Sequence, residues 1–134
     1  MSFSVLLITH KNLGKTLLGT LKSTFAELPV TILTESVKNQ DDPKILVKNL
    51  CEKIKNLDQS DGVLILTDLY GSTPSNIAYK LKETCKTKIR IVSGLNAPML
   101  MKIVNYPQLS LDQITKKVVK GGRKGIIDDE NVPY

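Results

Sequence analysis

Histidine and cysteine are scarce in this sequence, which has one histidine, His10, and two cysteines, Cys51 and Cys85. The cysteines form no Cys-x-x-Cys pair, and with a single histidine they cannot supply the four ligands of a structural zinc site. Each falls within a helical pattern, so we interpret both as structural thiols that are buried or half-buried. In a reducing compartment we expect no disulfide between them, and we expect neither a metal ion nor a cofactor.

Long apolar segments are absent as well. No apolar run approaches the roughly 20 residues that a membrane-spanning helix needs. The start of the chain also lacks the basic residues and the long apolar stretch of a secretory signal. With 134 residues, the chain is long enough for one domain with a substantial core. We therefore expect a soluble, cytoplasmic protein with a single domain over residues 1–134.

Aromatic residues make up 4% of the chain, tryptophan is absent, and arginine occurs only at Arg90 and Arg123. These shortages matter because the formal net charge of +6 would otherwise suggest nucleic-acid binding. Proteins that bind nucleic acid interleave stacking aromatic residues with basic ones, and that pattern is missing here. The lysines are spread over several helices, with a denser group from Lys116 to Lys124, which indicates a solvated surface or a protein-docking patch. We expect no nucleic-acid partner.

Apolar runs with strand character alternate with segments of helical periodicity along the whole chain. Strands are predicted at residues 5–8, 30–34, 63–67 and 89–92, with helices between them and after the last one. Repeated strand–helix–strand units joined by right-handed crossovers form a mostly parallel sheet. The predicted fold class is α/β: a single doubly wound domain with a mostly parallel central sheet, helices on both faces and a possible C-terminal antiparallel strand.

Capping residues predict where several helices begin and end. A proline follows both Asp42 and Thr73, which predicts these two residues as N-caps with proline at the first helical position. Ser110 and Gln113 have the spacing of a capping box. The glycine pair at residues 121–122 is predicted to end the last helix.

His10 stands directly after the first predicted strand, and Asp68 stands directly after the third. The carboxyl ends of parallel strands share one edge of the sheet, where ligands and chemistry collect. A carboxylate that accepts the Nδ1 proton of an imidazole fixes its tautomer and leaves Nε2 as a nucleophile. Asp68 is suitably placed to be that carboxylate, although Asp42 competes if its loop folds over the site.

The turn after Asp68 has the composition of an anion-binding cradle. A glycine there lets the backbone bend close to a ligand. With Thr73 as N-cap, the amides of Ser75 and Asn76 would be free at the positive end of a helix dipole. Many helices begin in this way for capping alone, so the signal gains its weight from the neighbouring His10 and Asp68. We predict an oxyanion or phosphate cradle formed by Gly71, Ser72, Thr73, Ser75 and Asn76.

Several reaction classes do not fit this edge of the sheet. A serine hydrolase of the α/β class needs a Gly-x-Ser-x-Gly elbow, which is absent. A receiver domain phosphorylated on aspartate needs acidic residues after the first strand to hold Mg²⁺, whereas this chain has Thr9, His10 and Lys11 there. A histidine that carries a phosphoryl group needs only an oriented imidazole and donors for the phosphate. Phosphoryl transfer through His10 is therefore the reaction that these residues favour.

The sequence resembles the enzyme IIA domain of the mannose family of the bacterial phosphoenolpyruvate-dependent sugar phosphotransferase system. Four segments support the resemblance, in the right order over essentially the whole chain: residues 9–10, 66–76, 93–100 and 122–125. The second and third segments are specific to that family. A related domain of the dihydroxyacetone kinase system has a Gly-Ser-Ala-like turn after its aspartate, so Pro74 and Asn76 favour the mannose type.

The resemblance implies a phosphotransferase component that acts through a phosphohistidine intermediate. His10 would accept a phosphoryl group from the carrier protein HPr and pass it to an enzyme IIB partner acting in trans, while Asp68 bonds the imidazole. Contact with the membrane would be indirect, through the permease complex, and no sugar is identified by these residues. The residues implied to border the site are Thr9, Gly94, Asn96, Pro98 and Met99.

The resemblance also implies a homodimer, which some family members build by exchanging a C-terminal strand. Ile126-Ile127 is the only candidate for such a strand in this sequence. An alternative function is a stand-alone regulatory module, in which phosphorylation adds a charge of about −2 at His10 and switches partner binding. The residues are compatible with both roles.

Overall fold

The computed structural model describes residues 3–57 and 61–133, and in them five helices surround a four-stranded sheet. The prediction of one domain over residues 1–134 extends beyond the described residues at both ends. None of the described helices is long and apolar enough to cross a membrane. The strands are β1 (Ser4–His10), β2 (Ile32–Val37), β3 (Val63–Thr67) and β4 (Ile89–Ser93), and the helices are α1 (Leu13–Thr24), α2 (Pro43–Lys55), α3 (Thr73–Thr84), α4 (Ala97–Asn105) and α5 (Leu111–Lys124).

The four strands are all parallel and lie in the order β2-β1-β3-β4, which confirms the predicted α/β class. β2 begins two residues later than predicted and ends three later, because its pairing with β1 continues until Val37 lies opposite His10. From β1 the chain adds β2 on one side and then returns to add β3 on the other. The strand order therefore reverses between β1 and β3, and ligands bind at this position in open α/β sheets.

Each face of the sheet has its own apolar core, which explains the unbroken apolar runs in the sequence. Val5 and Leu7 of β1 belong to the core that α1, α4 and α5 complete, whereas Leu6 and Ile8 belong to the core formed with α2 and α3. Successive side chains of a strand point to opposite faces, and a strand that is covered on both faces has no polar side. β1 thereby fixes the position of the histidine at its end.

The predicted end of α5 is wrong, because the helix continues through Gly121 and Gly122 to Lys124. A Cβ atom on Gly122 would lie 2.7 Å from the Cγ atom of Met99, and one on Gly121 would collide with the side chain of Lys102. The glycine pair is therefore the place where α4 and α5 approach each other closely, and it does not act as a stop signal.

The possible C-terminal antiparallel strand is not seen in the described residues after Lys124, which contain no strand. Ile126 and Ile127, its candidate residues, are 81% and 50% exposed. Directly after them the carboxylate of Asp128 accepts hydrogen bonds from the Glu130 amide and from the side-chain amide of Asn131. This local turn occupies the residues that a longer strand would need.

Cys51 and Cys85 are joined in a disulfide, contrary to the expectation of two separate thiols. Cys51 lies in α2, Cys85 follows the last residue of α3, and the two helices pack beside each other on one face of the sheet. The two Cα atoms are 5.8 Å apart, a separation that a disulfide spans. The expectation failed because helix packing, which the sequence pattern does not reveal, brings the residues together.

Candidate functional site

His10 and Asp68 meet at the carboxyl edge of the sheet, where the strand order reverses. β1 and β3 are direct neighbours with Ile8 opposite Thr67, so the residues that end or follow these strands are also neighbours. His10 is the last residue of β1, and Asp68 is the first residue after β3. The structure thus brings together the two residues that the sequence singled out.

One carboxylate oxygen of Asp68 holds His10 at two points. Its Oδ2 atom lies 2.8 Å from the ring Nδ1 atom and accepts a hydrogen bond from the backbone N–H of His10 at 3.0 Å. The other oxygen, Oδ1, accepts from the backbone N–H of Leu69 at 3.0 Å. Three donor groups therefore surround a carboxylate that can only accept while it is ionised.

The surroundings favour the ionised form of Asp68. Burial raises the pKa of its carboxyl group, but the hydrogen bonds from the backbone and ring of His10, together with the charge of the ring when protonated, outweigh that effect and hold the pKa below its ordinary value of 3.8. The side chain of Asp68 is 11% exposed and that of His10 is 47% exposed. An ionised acceptor at Nδ1 keeps the proton of a neutral imidazole on that nitrogen, so Nε2 has a free lone pair on a half-exposed ring.

Asp42 does not compete for His10. It is the N-cap of α2, as predicted, and its Oδ1 atom accepts a hydrogen bond from the backbone N–H of Lys44 at 2.9 Å. The carboxylate is engaged at its own helix, which leaves Asp68 as the partner of the imidazole.

The turn between β3 and α3 differs from its predicted form by one residue. The N-cap is Ser72, whose backbone is extended, so Thr73 is the first helical residue and Pro74 is the second. Proline is accepted at this position because its missing N–H would have no acceptor in the helix. Gly71 comes just before with a φ of +83°, a left-handed conformation that favours glycine.

This shift changes which groups of the turn are free to bind a ligand. The amide of Asn76 donates to the carbonyl of Ser72 at 2.9 Å, so the prediction of a free amide at Asn76 is wrong. The hydroxyl of Ser72 donates to the carbonyl of Leu69 and does not cap the helix. The amides of Thr73 and Ser75 lie in the first turn, where a helix offers them no acceptor.

The side chain of Ser75 is the least satisfied polar group at this edge. The residue is 1% exposed, and its hydroxyl oxygen has no hydrogen-bond partner among the residues that the structure describes. A buried polar group without a partner is costly, and most such groups in folded proteins are paired. The hydroxyl of Ser75 therefore keeps an unused hydrogen-bonding capacity in the first turn of α3.

Cavities lie on both sides of the first turn of α3. One, of about 500 Å³, is lined by Thr73 and Asn76 of α3 and by Lys44 of α2. The other, of about 530 Å³, is lined by Gly71 and Ser75 together with neighbouring residues of the turn and of α3. In residues 3–57 and 61–133, no group of three or more His, Cys, Asp or Glu side chains could hold a metal ion.

The floor of the site is tied together by a second layer of hydrogen bonds that the sequence did not point to. The hydroxyls of Thr67 and Ser93 lie 2.8 Å apart, and the carbonyl of Thr67 accepts from the amides of Gly94 and Leu95 at 3.0 Å each. Gly94 has a φ of +93°. These bonds hold the loop after β4 against Thr67, the last residue of β3, which directly precedes Asp68.

Lys11 is a further feature that the sequence did not reveal. It has a φ of +47°, a left-handed backbone that is uncommon for a residue other than glycine. Its amide donates to the carbonyl of Val37 at 3.2 Å. The chain thereby turns sharply away from the sheet directly after His10, which leaves the imidazole at the edge.

The residues implied to border the site have contacts elsewhere in the structure. The hydroxyl of Thr9 accepts from the amide of Gly14 at 2.9 Å and so supports the start of α1. Asn96 is the N-cap of α4, and its side-chain amide donates to the carbonyl of Gly122 in α5. Pro98 lies against Gly125 and Met99 packs against Gly122. A direct role for these residues at His10 stays a prediction.

The comparison with known families matches this arrangement. The family model EIIA-man, described as "PTS system fructose IIA component", matches residues 4–119. The match includes both strands that position His10 and Asp68 and the whole of α3. The chain belongs to this family of enzyme IIA components of the sugar phosphotransferase system.

Individual relatives are consistent with the family. The chain is 25% identical over 128 residues to the "PTS system mannose-specific EIIAB component" of Escherichia coli K12, covering 94% of this chain and 39% of that protein. It is 28% identical over 107 residues to the "Transcriptional regulatory protein LevR" of Bacillus subtilis, covering 78% of this chain and 10% of that protein. The chain thus spans about two fifths of the first relative and a tenth of the second.

The fold also matches solved structures of the family. The phosphotransferase system component EIIA of Streptococcus agalactiae superposes with a TM-score of 0.85 at 24% identity, covering 97% of this chain and 99% of that one. At this level of identity the match shows a shared fold, which extends over nearly the whole of both chains.

Proposed function

We propose that the protein is a phosphocarrier in the sugar phosphotransferase system. Nε2 of His10 attacks the phosphorus atom of a phosphohistidine on HPr, so a new N–P bond forms while the donor's N–P bond breaks and its electron pair returns to the donor imidazole. The phosphoryl group then passes by the same exchange to an enzyme IIB partner in trans. No proton needs to leave His10 in either step.

The 2.8 Å contact between Nδ1 of His10 and Oδ2 of Asp68 is the observation that supports this function best. Attack through Nε2 places positive charge on the imidazole ring. A carboxylate with a lowered pKa stabilises that charge and keeps the ring in the reactive tautomer. Family membership supports the same reaction independently.

The first turn of α3 is proposed to bind the transferred phosphoryl group. The amides of Thr73 and Ser75, the hydroxyl of Ser75 and the positive end of the helix dipole are the donors. In this proposal Gly71 shapes the turn, Ser72 holds it through Leu69, and Asn76 offers its exposed side chain at the rim.

The test is phosphoryl transfer from phosphoenolpyruvate through purified enzyme I and HPr, followed by intact mass. We expect a gain of about 80 Da that is labile to acid, the signature of one phosphohistidine. The gain should be absent in His10→Ala and present in Asp42→Asn, the control that alters a carboxylate outside the site. Full labelling of His10→Ala would overturn the proposal.

A regulatory module is the second candidate function, and the match to LevR favours it. In this role the phosphorylation of His10 alters the charge at the sheet edge and thereby changes which partner docks. A pull-down with phosphorylated and unphosphorylated protein tests this role. Partners that are retained equally in both states would exclude a switch and leave transport as the function.

The remaining proposals concern assembly and place in the cell. We propose a homodimer that works in the cytoplasm and contacts the membrane only through its permease partners. Sedimentation equilibrium of the purified chain tests the dimer directly, and a single species at the mass of one chain would exclude it.

A further inference from the structure

Nearly all of the excess positive charge of the protein lies in one region. Residues 97–125, which form α4, α5 and their connection, contain six lysines and arginines and a single carboxylate, Asp112. The rest of the chain contains 13 lysines and arginines against 12 aspartates and glutamates. Residues 97–125 therefore contribute +5 to the net charge of +6.

Within this region, α4 and α5 enclose a concavity of about 600 Å³. We call it the basic groove. Four lysines line it, and apolar atoms of a proline and a methionine complete its wall, with the methionine 36% exposed. The side chains that give the basic groove its charge and its apolar wall are those of Pro98, Met101, Lys102, Lys117, Lys120 and Lys124.

The lysines of the basic groove are free to meet a partner. None of them forms an ion pair with a carboxylate in the described ranges 3–57 and 61–133, whereas the nearby Lys88 and Arg90 share Asp112. The ammonium groups of Lys102 and Lys117 lie 5.7 and 4.5 Å from the centre of the Tyr106 ring. This cation–π contact holds two like charges near one another, which raises the local positive potential.

Close helix packing shapes the groove. Gly121 has no side chain, and a Cβ at that position would collide with the stem of Lys102. The stem of Lys102 therefore lies across α5, and its charge is directed to the same concavity as the lysines of that helix. One end of the groove is formed by Pro98, in the first turn of α4, which packs on Gly125.

We infer that the basic groove docks an acidic segment of a partner protein, one that alternates carboxylates with apolar side chains. Carboxylates complement the four lysines, and apolar side chains complement Pro98 and Met101. A face-to-face contact with a second copy would bring the same positive charges together. Nucleic acid fits less well, because the groove has no arginine and the ring of Tyr106 is already covered by lysines.

The test uses the full chain and a fluorescein-labelled peptide of Glu-Glu-Leu repeats, followed by fluorescence anisotropy. We expect saturable binding that weakens with added salt. The triple variant Lys117→Glu, Lys120→Glu and Lys124→Glu should bind the peptide at least about tenfold more weakly. Circular dichroism checks that the variant is folded.

A matched control separates this site from general charge attraction. Lys22→Glu, Lys48→Glu and Lys82→Glu change the net charge by the same amount at exposed positions of α1, α2 and α3, and affinity should change by less than about twofold. Equal losses in both triple variants would overturn the inference. So would tighter binding of an oligo-dT strand than of the peptide, or a wild-type dimer that the groove variant alone dissociates, which would identify a second copy as the occupant.

Discussion

α2 and α3 begin with nearly the same sequence signal, but the amides of their first turns are capped differently. Both have a proline in the first turn and a polar residue as N-cap. In α2, the carboxylate of Asp42 accepts from the amide of Lys44, so the helix satisfies its own N-terminus. In α3, the hydroxyl of Ser72 turns back to Leu69, and the first turn keeps donors without an acceptor.

The difference teaches that a helix N-terminus keeps donors available for a ligand when its own cap is withheld. The other helices support this view, since α4 is capped by Asn96 and α5 by a complete capping box. Even α1, which has no side-chain cap of its own, receives the hydroxyl of Thr9 at its Gly14 amide. The open start of α3 follows Asp68 at the edge of the sheet that carries His10.

The largest effect is expected from a substitution that gives α3 a carboxylate cap like that of α2. Ser72→Asp places a carboxylate over the open amides, where it occupies the proposed phosphate position and repels the incoming phosphoryl group. We expect phosphoryl transfer to fall by about 100-fold, while the helix becomes more stable by about 1 kcal/mol. The rate of labelling from phosphorylated HPr and the midpoint of urea unfolding measure the two effects. A variant that is stabilised yet transfers normally would show that the open turn does not bind the phosphate.

A smaller change removes one donor from the open turn. Ser75→Ala deletes the buried hydroxyl that has no partner, so transfer should slow by about tenfold. Stability should stay the same or rise, because no hydrogen bond in the described structure is lost. Ser72→Ala is the matched control: its hydroxyl serves the turn, and its loss should lower stability more than it lowers transfer. Unfolding curves and single-turnover rates of the two variants check the contrast.

Removing the cap of α2 should have the reverse effect. Asp42→Ala should destabilise the fold by about 1 kcal/mol, because the amide of Lys44 loses its acceptor. The transfer rate should remain within about twofold of the wild type, since Asp42 has no contact with His10. A large loss of transfer in a variant that is still folded would show that Asp42 takes part in the reaction at His10.

The pH dependence of stability tests whether Asp68, the carboxylate that precedes the open turn of α3, is ionised and hydrogen-bonded in the folded protein. The folded state holds the pKa of Asp68 below 3.8, so the unfolded state binds its proton first as the pH falls. The carboxylate therefore stabilises the fold above pH 3.8, and this contribution is lost as the pH falls through the lower pKa of the folded state. The difference in unfolding free energy between wild type and Asp68→Asn should shrink as the pH falls below 3.8. Denaturant titrations across this range measure it, and a difference that grows as the pH falls below 3.8 would contradict the assignment.

Much of the site was predictable because it depends on where apolar runs stop. The runs before His10 and Asp68 are unbroken, so strands buried on both faces were indicated, and parallel strands end at one edge. The sequence also favoured Asp68 over Asp42 as the partner of His10, because Pro43 predicted Asp42 as the N-cap of α2, and the structure confirms that cap.

Two of the errors depend on contacts between elements, and a third depends on the geometry of a single turn. Gly121-Gly122 has the sequence of a helix stop, but α4 packs against it and the helix continues. The disulfide needs α2 and α3 side by side. The N-cap of α3 is Ser72, one residue before the predicted Thr73. Within this turn the hydroxyl of Ser72 donates to the carbonyl of Leu69, a contact that the sequence pattern does not reveal.

The double use of Oδ2 of Asp68 has a consequence for entropy. The same oxygen holds both the backbone and the ring of one residue, so the rotamer of His10 is chosen when the chain folds and not when a partner arrives. The entropy cost of orienting the ring is therefore met once, when the chain folds. A partner protein that binds later does not have to offset this cost again. In the proposed transfer, two dissimilar partner proteins would meet the same fixed nitrogen atom, and the orientation of the ring would not depend on which of them is bound.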